Sequence, residues 1–61
     1  MQSIRFVLYA AAPVAEGVIF STGRAVLSWL DLSKPVEVYQ SMDEVYARYG
    51  ARFKVVEAPI V

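Results

Sequence analysis

The chain has 61 residues, 57% of them hydrophobic, and its six basic residues balance six acidic ones, so the net charge is zero. A neutral chain with mixed charges lacks the strong field that favours DNA, an anionic membrane or an acidic ligand. The sequence contains no Cys and no His, which excludes disulfides and the common zinc sites. We therefore expect a single domain over residues 1–61 that uses no metal and no cofactor.

The chain is close to the lower size limit for a domain that a hydrophobic core stabilises alone. A domain of about 60 residues buries only about 60% of its unfolded-chain surface. Because the hydrophobic share is above that of a usual soluble domain, we expect association to supply further stability. The predicted partner is a second copy, in a homodimer or higher oligomer, or another protein.

The first predicted strand runs from Ser3 to Ala10 and is rich in aromatic and β-branched residues. Side chains alternate between the two faces of a strand. Phe6 and Leu8 are therefore expected on one face, and Val7 and Tyr9 on the other.

An apolar run from Phe6 to Ala15 has ten residues and contains Pro13. It is half as long as the roughly 20 residues that span a bilayer, so we expect no transmembrane helix. With Arg5 before it, the run has some features of a secretory signal peptide. Cleavage there would remove a strand and leave a fragment too small to fold, so we expect a cytoplasmic protein.

The stretch from Val14 to Leu30 predicts a β-hairpin, around which the rest of the chain is organised. Its turn lies at Ser21-Thr22-Gly23-Arg24, where Gly23 supplies the positive φ that a short loop needs. We expect Thr22 and Gly23 to be the two loop residues.

The register that follows from this loop is apolar on both faces of the hairpin. It pairs Glu16 with Trp29 on one face and Ile19 with Val26 on the other, where Leu30 also lies. An antiparallel sheet with one solvated face normally has one polar face. We therefore expect both faces of this sheet to be covered.

The second half of the chain predicts two further strands, one on each side of a helix. The segment from Val36 to Gln40 is the fourth strand, with Val36 and Val38 towards the core and Tyr39 pointing away. The segment from Arg52 to Glu57 is the last strand, whose charges suit a sheet edge. A tail is expected over residues 58–61.

A helix is predicted to begin after Ser41, because Ser41 and Glu44 form a capping box in which each side chain accepts the backbone N–H of the other. Gly50 is the predicted left-handed residue after the helix. Between them an apolar stripe at helical spacing consists of Met42, Val45, Tyr46 and Tyr49.

The predicted fold class is α+β, a small, mostly antiparallel sheet in the order β-β-β-β-α-β with one short helix packed on one face. A helix of about nine residues is about 14 Å long, so it covers part of one face and none of the other. The helix-free face is therefore expected to form a protein interface. Its predicted residues are Val7, Tyr9, Ile19, Val26 and Leu30.

A pattern of aromatic, valine and glycine residues extends over most of the chain. It comprises Phe6-Val7-Leu8-Tyr9, Val14-Ala15-Glu16-Gly17-Val18, Phe20, Gly23, Val26-Leu27 and Trp29, then Tyr39 and Ser41 to Gly50. In this pattern the chain resembles small uncharacterised proteins of actinobacterial phages and their hosts. The resemblance implies a phage or prophage origin and brings no activity. Ile19 and Ser28 depart from it by replacing charged residues.

We do not expect an enzyme. Without His or Cys, a nucleophile would have to be a serine, and none lies beside a base or in a nucleophile-elbow motif. Asp43 and Glu44 are explained by the helix start. Glu16, opposite Trp29, is expected at the sheet margin with a hydrogen bond to a backbone N–H or to the indole.

The predicted function is a small protein-interaction module that self-associates or binds a protein partner through the helix-free face, as a phage-type accessory or host-inhibitor protein. The alternative is a nucleic-acid-binding domain, in which Tyr side chains stack on bases and Arg and Lys hold phosphates. The zero net charge counts against this alternative. The expected burial of Tyr46 and Tyr49 also counts against it.

Overall fold

The computed structural model describes residues 3–59, which form one five-stranded antiparallel sheet with one helix against it. The elements are β1 (Ile4–Tyr9), β2 (Pro13–Ile19), β3 (Ala25–Trp29), β4 (Glu37–Tyr39), α1 (Met42–Tyr49) and β5 (Lys54–Pro59). The strands lie in the order β4-β3-β2-β1-β5. The predicted fold class and element order are confirmed. The predicted tail is wrong at Ala58 and Pro59, which belong to β5, and its residues 60–61 lie outside the described residues.

The hydrophobic core lies between α1 and one face of the sheet. Its buried members are Phe6, Leu8, Ala15, Ala25, Leu27 and Trp29 from the strands and Val45 and Tyr49 from the helix. Phe6, Leu8, Leu27 and Val45 are the largest fully buried side chains. Burying a side chain of this size contributes about 1.5–3 kcal/mol, so these residues hold the helix on the sheet.

Gly17 makes room for Phe6 at the centre of the core face. It lies opposite Phe6 in β1 and Leu27 in β3. A Cβ atom at Gly17 would lie 2.6 Å from Phe6 Cε1 and closer still to the carbonyl oxygen of Val26. The absence of a side chain at this position is therefore required by packing.

The β2–β3 hairpin has a three-residue loop, so the predicted two-residue loop is wrong. The Phe20 N–H donates to the Arg24 carbonyl at 2.8 Å, and the Gly23 N–H donates to the Phe20 carbonyl at 2.9 Å. Gly23 has a φ of +94°. A turn followed by a left-handed residue is common in three-residue hairpin loops. The extra loop residue shifts the register by one, so that Ile19 pairs with Ala25.

The register shift changes which residues of β2 face the helix, because side chains alternate between faces. Trp29 lies opposite Ala15, and Glu16 lies opposite Ser28. Ile19 packs against the core, so its predicted position on the helix-free face is wrong.

The side chains of strand β4 also point to the opposite faces of the sheet from those predicted. Val36 and Val38, predicted to face the core, are 58% and 66% exposed, whereas Tyr39 packs against the core. Glu37 lies on the same side as Tyr39 and accepts hydrogen bonds there. The physical reason is that the aromatic N–H and O–H groups around the core need an acceptor when they are buried.

Helix α1 begins at the predicted residue but with a different cap. The Ser41 side chain makes no capping hydrogen bond, and the Glu44 carboxylate accepts the Gln40 N–H at 2.6 Å. Gly50 has a φ of −61°, so the predicted left-handed helix end is wrong as well. Within residues 3–59, no helix is long and apolar enough to cross a membrane.

Candidate functional site

The helix-free face consists of the strand residues that alternate with the core residues, and cross-strand pairing aligns them in two rows. The first row, from β4 to β5, is Val38, Val26, Val18, Arg5 and Ala58. The second row, from β3 to β5, is Ser28, Glu16, Val7 and Val56. The first row is mainly apolar, the second is half apolar and half polar, and each row contains one charged residue.

Three of the five predicted interface residues, Val7, Tyr9 and Val26, occupy strand positions on the helix-free face. Val7 and Val26 lie in the two rows, with Val7 only 8% exposed. Half-buried Tyr9 is the last residue of β1, and Leu30, 50% exposed, directly follows β3. Ile19 lies on the opposite face, as described above. The binding role of these residues stays a prediction.

Three large apolar side chains that the helix-free face exposes are absent from the predicted interface. Val38 and Val56 are 66% and 40% exposed, and Phe20, beside the hairpin loop, is 46% exposed. Phe20, Val18 and Val26 line a shallow groove of about 260 Å³ on this face. The alternation of β5 would have identified Val56, the correct register of β2 would have identified Phe20, and the correct orientation of β4 would have identified Val38.

Arg5 and Glu16 form an ion pair in the middle of the helix-free face. The Arg5 guanidinium donates to the Glu16 carboxylate at 3.2 Å, and both side chains are about half exposed. Glu16 lies opposite Ser28, so its predicted pairing with Trp29 is wrong. Its predicted hydrogen bond to the indole is also wrong, because the Trp29 indole donates to Glu37 and Glu16 accepts from Arg5. An exposed pair of this kind contributes roughly 0–1 kcal/mol to stability.

On the helix side, the Glu37 carboxylate accepts hydrogen bonds from three aromatic side chains. The indole Nε1–H of Trp29 donates to Oε2 at 2.9 Å. The hydroxyl of Tyr49 donates to Oε1 at 2.6 Å, and the hydroxyl of Tyr39 donates to the same oxygen. Glu37 therefore joins β3, β4 and the end of α1.

Two opposing influences set the pKa of the Glu37 carboxyl. Desolvation by burial is the largest and raises the pKa, but the hydrogen bonds from Tyr39, Tyr49 and Trp29 and the charge of Arg48 together lower it below its ordinary value. The pKa of the Tyr39 hydroxyl is raised, first by desolvation and then by its hydrogen bond to Glu37. The carboxylate is therefore stabilised in its charged form.

Two tyrosines connect α1 to both edges of the sheet. Tyr49 donates to Glu37 on edge strand β4, and Tyr46 donates to Glu57 on the opposite edge strand, β5. The predicted burial of Tyr46 is wrong, because its side chain is 43% exposed. Its hydroxyl reaches the rim of the sheet, and the hydrogen bond to Glu57 raises the pKa of Tyr46.

Next to Glu37 lies an open pocket of about 370 Å³, which we call the Trp29 pocket. Its lining is Trp29, Lys34, Pro35, Glu37, Arg48, Tyr49, Arg52 and Phe53. These residues come from the end of β3, the β3–β4 loop, the start of β4, the end of α1 and the turn before β5. This pocket could not be predicted from the sequence, because its three cations, Lys34, Arg48 and Arg52, are separated along the chain and meet only in the fold.

The comparison with family models gives one match. Residues 12–52, which are 41 of the 61 residues, match the Acb5 phage protein family. The chain belongs to the Acb5 phage protein family. In this Acb5 protein the matched segment contains β2, β3, β4 and α1 and every residue of the Trp29 pocket except Phe53. No curated protein and no solved structure matches the chain.

The family match confirms the phage part of the resemblance. An actinobacterial origin, the cytoplasmic location and the absence of enzymatic activity stay predictions for this Acb5 protein, as does its oligomeric state.

Proposed function

We propose that this phage protein is a small interaction module that self-associates through its helix-free sheet face. The observation that carries the proposal is the direct alignment of Val38, Val26 and Val18 across three strands of that face. Phe20 lines one groove with Val18 and Val26 and extends this apolar surface. Val56 lies beyond the Arg5–Glu16 ion pair. A contiguous exposed patch of this kind is typical of an interaction site.

The size of the face fits a second copy of the chain. The two longer dimensions of the molecule are 31 and 23 Å, so one face has an area of roughly 700 Å². This is close to the ~800 Å² that each partner contributes to a standard protein interface. Two such sheets can pack face to face about 10 Å apart, as in a β-sandwich.

The charges on the face are also compatible with a symmetric dimer. A two-fold axis brings the same patch of both subunits together. Arg5 and Glu16 lie on neighbouring strands near the middle of this patch. In a two-fold arrangement, Arg5 can therefore pair with the partner subunit's Glu16, and neither charge is left unpaired on burial.

The test is a Val26→Glu variant, whose mass in solution is measured by sedimentation velocity over a micromolar concentration range. A carboxylate at Val26 would meet its symmetry mate or apolar surface in the dimer. We expect the dissociation constant to rise at least about 100-fold, because uncompensated charge in an interface costs several kcal/mol. Ala47→Glu is the matched control, because Ala47 is an exposed residue of α1.

The proposal predicts a monomeric Val26→Glu protein with an unchanged far-UV circular dichroism spectrum, and an Ala47→Glu protein that associates like the unaltered chain. If Val26→Glu associates as strongly as Ala47→Glu, the helix-free face is not the contact.

A further inference from the structure

We propose that the Trp29 pocket binds a nucleotide, with Lys34, Arg48 and Arg52 holding its phosphate and the aromatic rings of the pocket contacting its base. This inference is independent of the proposed self-association, because the pocket lies on the helix side of the sheet.

The first observation is the convergence of three cations in a chain whose net charge is zero. The side chains of Lys34, Arg48 and Arg52 are exposed and line the same pocket. Within residues 3–59 none of them forms a salt bridge, since the ion pair there joins Arg5 to Glu16. These three cations are therefore available to a bound anion.

The charge of the pocket stays positive after its negative groups are counted. Glu37 contributes one negative charge, and the C-terminal end of a helix contributes about half a charge. Three cations therefore leave the lining residues at roughly +1.5. Asp31, outside the lining, is close enough to Lys34 for their charges to interact, and the net charge remains positive when it is included. Arginine and lysine are the side chains that bind phosphate, with arginine able to form two parallel hydrogen bonds. A phosphate group is thus complementary to this pocket.

The second observation is that each cation lies against an aromatic ring. Lys34 Nζ is 4.6 Å from the Trp29 ring centroid, Arg48 Cζ is 5.8 Å from that of Tyr49, and Arg52 Cζ is 5.4 Å from that of Phe53. The three rings also contact one another, with centroids 5.4 to 6.1 Å apart. Phosphate-binding groups and aromatic rings therefore occur together, as a nucleotide requires. Trp29 and Tyr49 are only 9% and 7% exposed and Phe53 is half-buried, so a base would contact the part of these rings that borders the pocket.

Lys34 has a specific part in this arrangement. In the structure its ammonium group lies over the indole of Trp29. A long, exposed lysine side chain can move at little cost, so the ammonium can shift from the indole to a phosphate. This shift would uncover the indole face for a base. Glu37 holds the indole in place through its hydrogen bond to Nε1.

The size of the pocket agrees with a small ligand. Its volume of about 370 Å³ lies at the lower end of the roughly 300–1,000 Å³ range of small-molecule sites. A free nucleotide and an unpaired nucleotide of a single strand present the same phosphate and base, so the test includes both.

The experiment uses the fluorescence of Trp29, the single tryptophan of the chain. The full chain is titrated with adenosine monophosphate, inorganic phosphate, adenosine and a single-stranded DNA of about ten nucleotides. Backbone amide chemical shifts are followed in parallel to locate the binding. Adenosine monophosphate is expected to give a saturable change and to bind at least about tenfold more tightly than inorganic phosphate, because base stacking adds to the phosphate contacts.

The variants Arg48→Gln and Arg52→Gln are each expected to weaken nucleotide binding about tenfold, because each removes a charge-assisted hydrogen bond. Both residues are exposed, so the fold should be retained. The matched control is Arg24→Gln, an exposed cation beside the hairpin loop. Tighter binding of the single strand than of adenosine monophosphate would identify a strand as the source of the nucleotide, and weaker binding of the single strand would identify the free nucleotide.

The proposal is overturned if neither adenosine monophosphate nor the single strand gives a saturable change at millimolar concentration. Equal affinities of inorganic phosphate and adenosine monophosphate would overturn the role of the aromatic rings. An Arg24→Gln loss as large as those of Arg48→Gln and Arg52→Gln would show that the binding is not located in the pocket.

Discussion

Replacing Glu37 by Gln tests whether this carboxylate holds the helix, β3 and β4 together. Gln has nearly the same size, but its amide offers one acceptor oxygen in place of two. If that oxygen accepts from Tyr39 and Tyr49, the amide N–H₂ faces the indole N–H of Trp29, and two donors oppose each other. The substitution therefore removes the negative charge and at least one hydrogen bond.

The expected cost is about 2–3 kcal/mol of unfolding free energy, because a hydrogen bond to a charged group contributes about 1.5–3 kcal/mol and an unpaired donor adds to the loss. This is a large part of the roughly 3–9 kcal/mol expected for a domain of this length. With a urea m-value of about 1 kcal/mol/M, the unfolding midpoint should fall by about 2–3 M.

Glu57→Gln is the matched control, because Glu57 accepts a hydrogen bond from a single tyrosine at an exposed rim position. Gln can still accept that bond through its oxygen. Its expected cost is below about 1 kcal/mol. Urea unfolding is followed by circular dichroism at one protein concentration, because association would make the midpoint depend on concentration.

The pH dependence of the unfolding free energy is a second test of the role of Glu37. Its pKa in the folded state is lowered from the ordinary 4.5. The stabilisation by its charged form is therefore fully present above pH 4.5 and is lost as the pH falls through the lower folded-state value. The difference in unfolding free energy between the unaltered chain and Glu37→Gln should therefore decrease in this acid range. A difference that is constant down to low pH, or no larger than that of Glu57→Gln, would refute the reasoning.

Two further predictions concern glycines. Gly17→Ala should lower the unfolding free energy by about 1–3 kcal/mol, measured by urea unfolding, because its Cβ would overlap Phe6 and the Val26 carbonyl; an unchanged midpoint would show that the core is not tightly packed there. Gly23→Ala should cost about 1–2 kcal/mol because of the φ of +94°, and Gly23→Asn should cost less because Asn tolerates left-handed φ. Equal costs for Ala and Asn would contradict the backbone explanation.

The element order could be predicted from sequence because each element has a strong local signal. Alternation in Phe6 and Leu8 identified the core face of β1, and Ser41 followed by Glu44 identified the start of α1. Phe53 and Val55 in the last predicted strand also pack against the core. These signals depend on neighbouring residues only, so they do not require knowledge of the fold.

The register of the hairpin could not be predicted with the same ease, since it depends on the length of the loop. Gly23 fits a two-residue loop and also the last position of a three-residue loop, and the two choices differ by one residue in pairing. That difference moved Ile19 to the wrong face and placed Glu16 opposite Trp29. The one-residue error in loop length therefore caused the errors in the predicted positions of Ile19 and Glu16.

The side-chain orientation of β4 depends on contacts between segments that are distant in sequence, and so does the Trp29 pocket. Hydrophobicity favoured Val36 and Val38 as core residues, but Glu37 faces the helix because it satisfies donors from β3, β4 and α1. A partial signal was available, since buried Trp and Tyr side chains usually need an acceptor and Glu37 lies two residues before Tyr39. The convergence of the three cations has no comparable local signal.

The mass of the unaltered chain in solution tests the central claim most directly. Sedimentation equilibrium at micromolar concentrations should give about twice the 6.8 kDa of one chain, and the melting temperature should rise with concentration because association stabilises the folded state. A mass of 6.8 kDa at every concentration, with a constant melting temperature, would contradict self-association through the helix-free face.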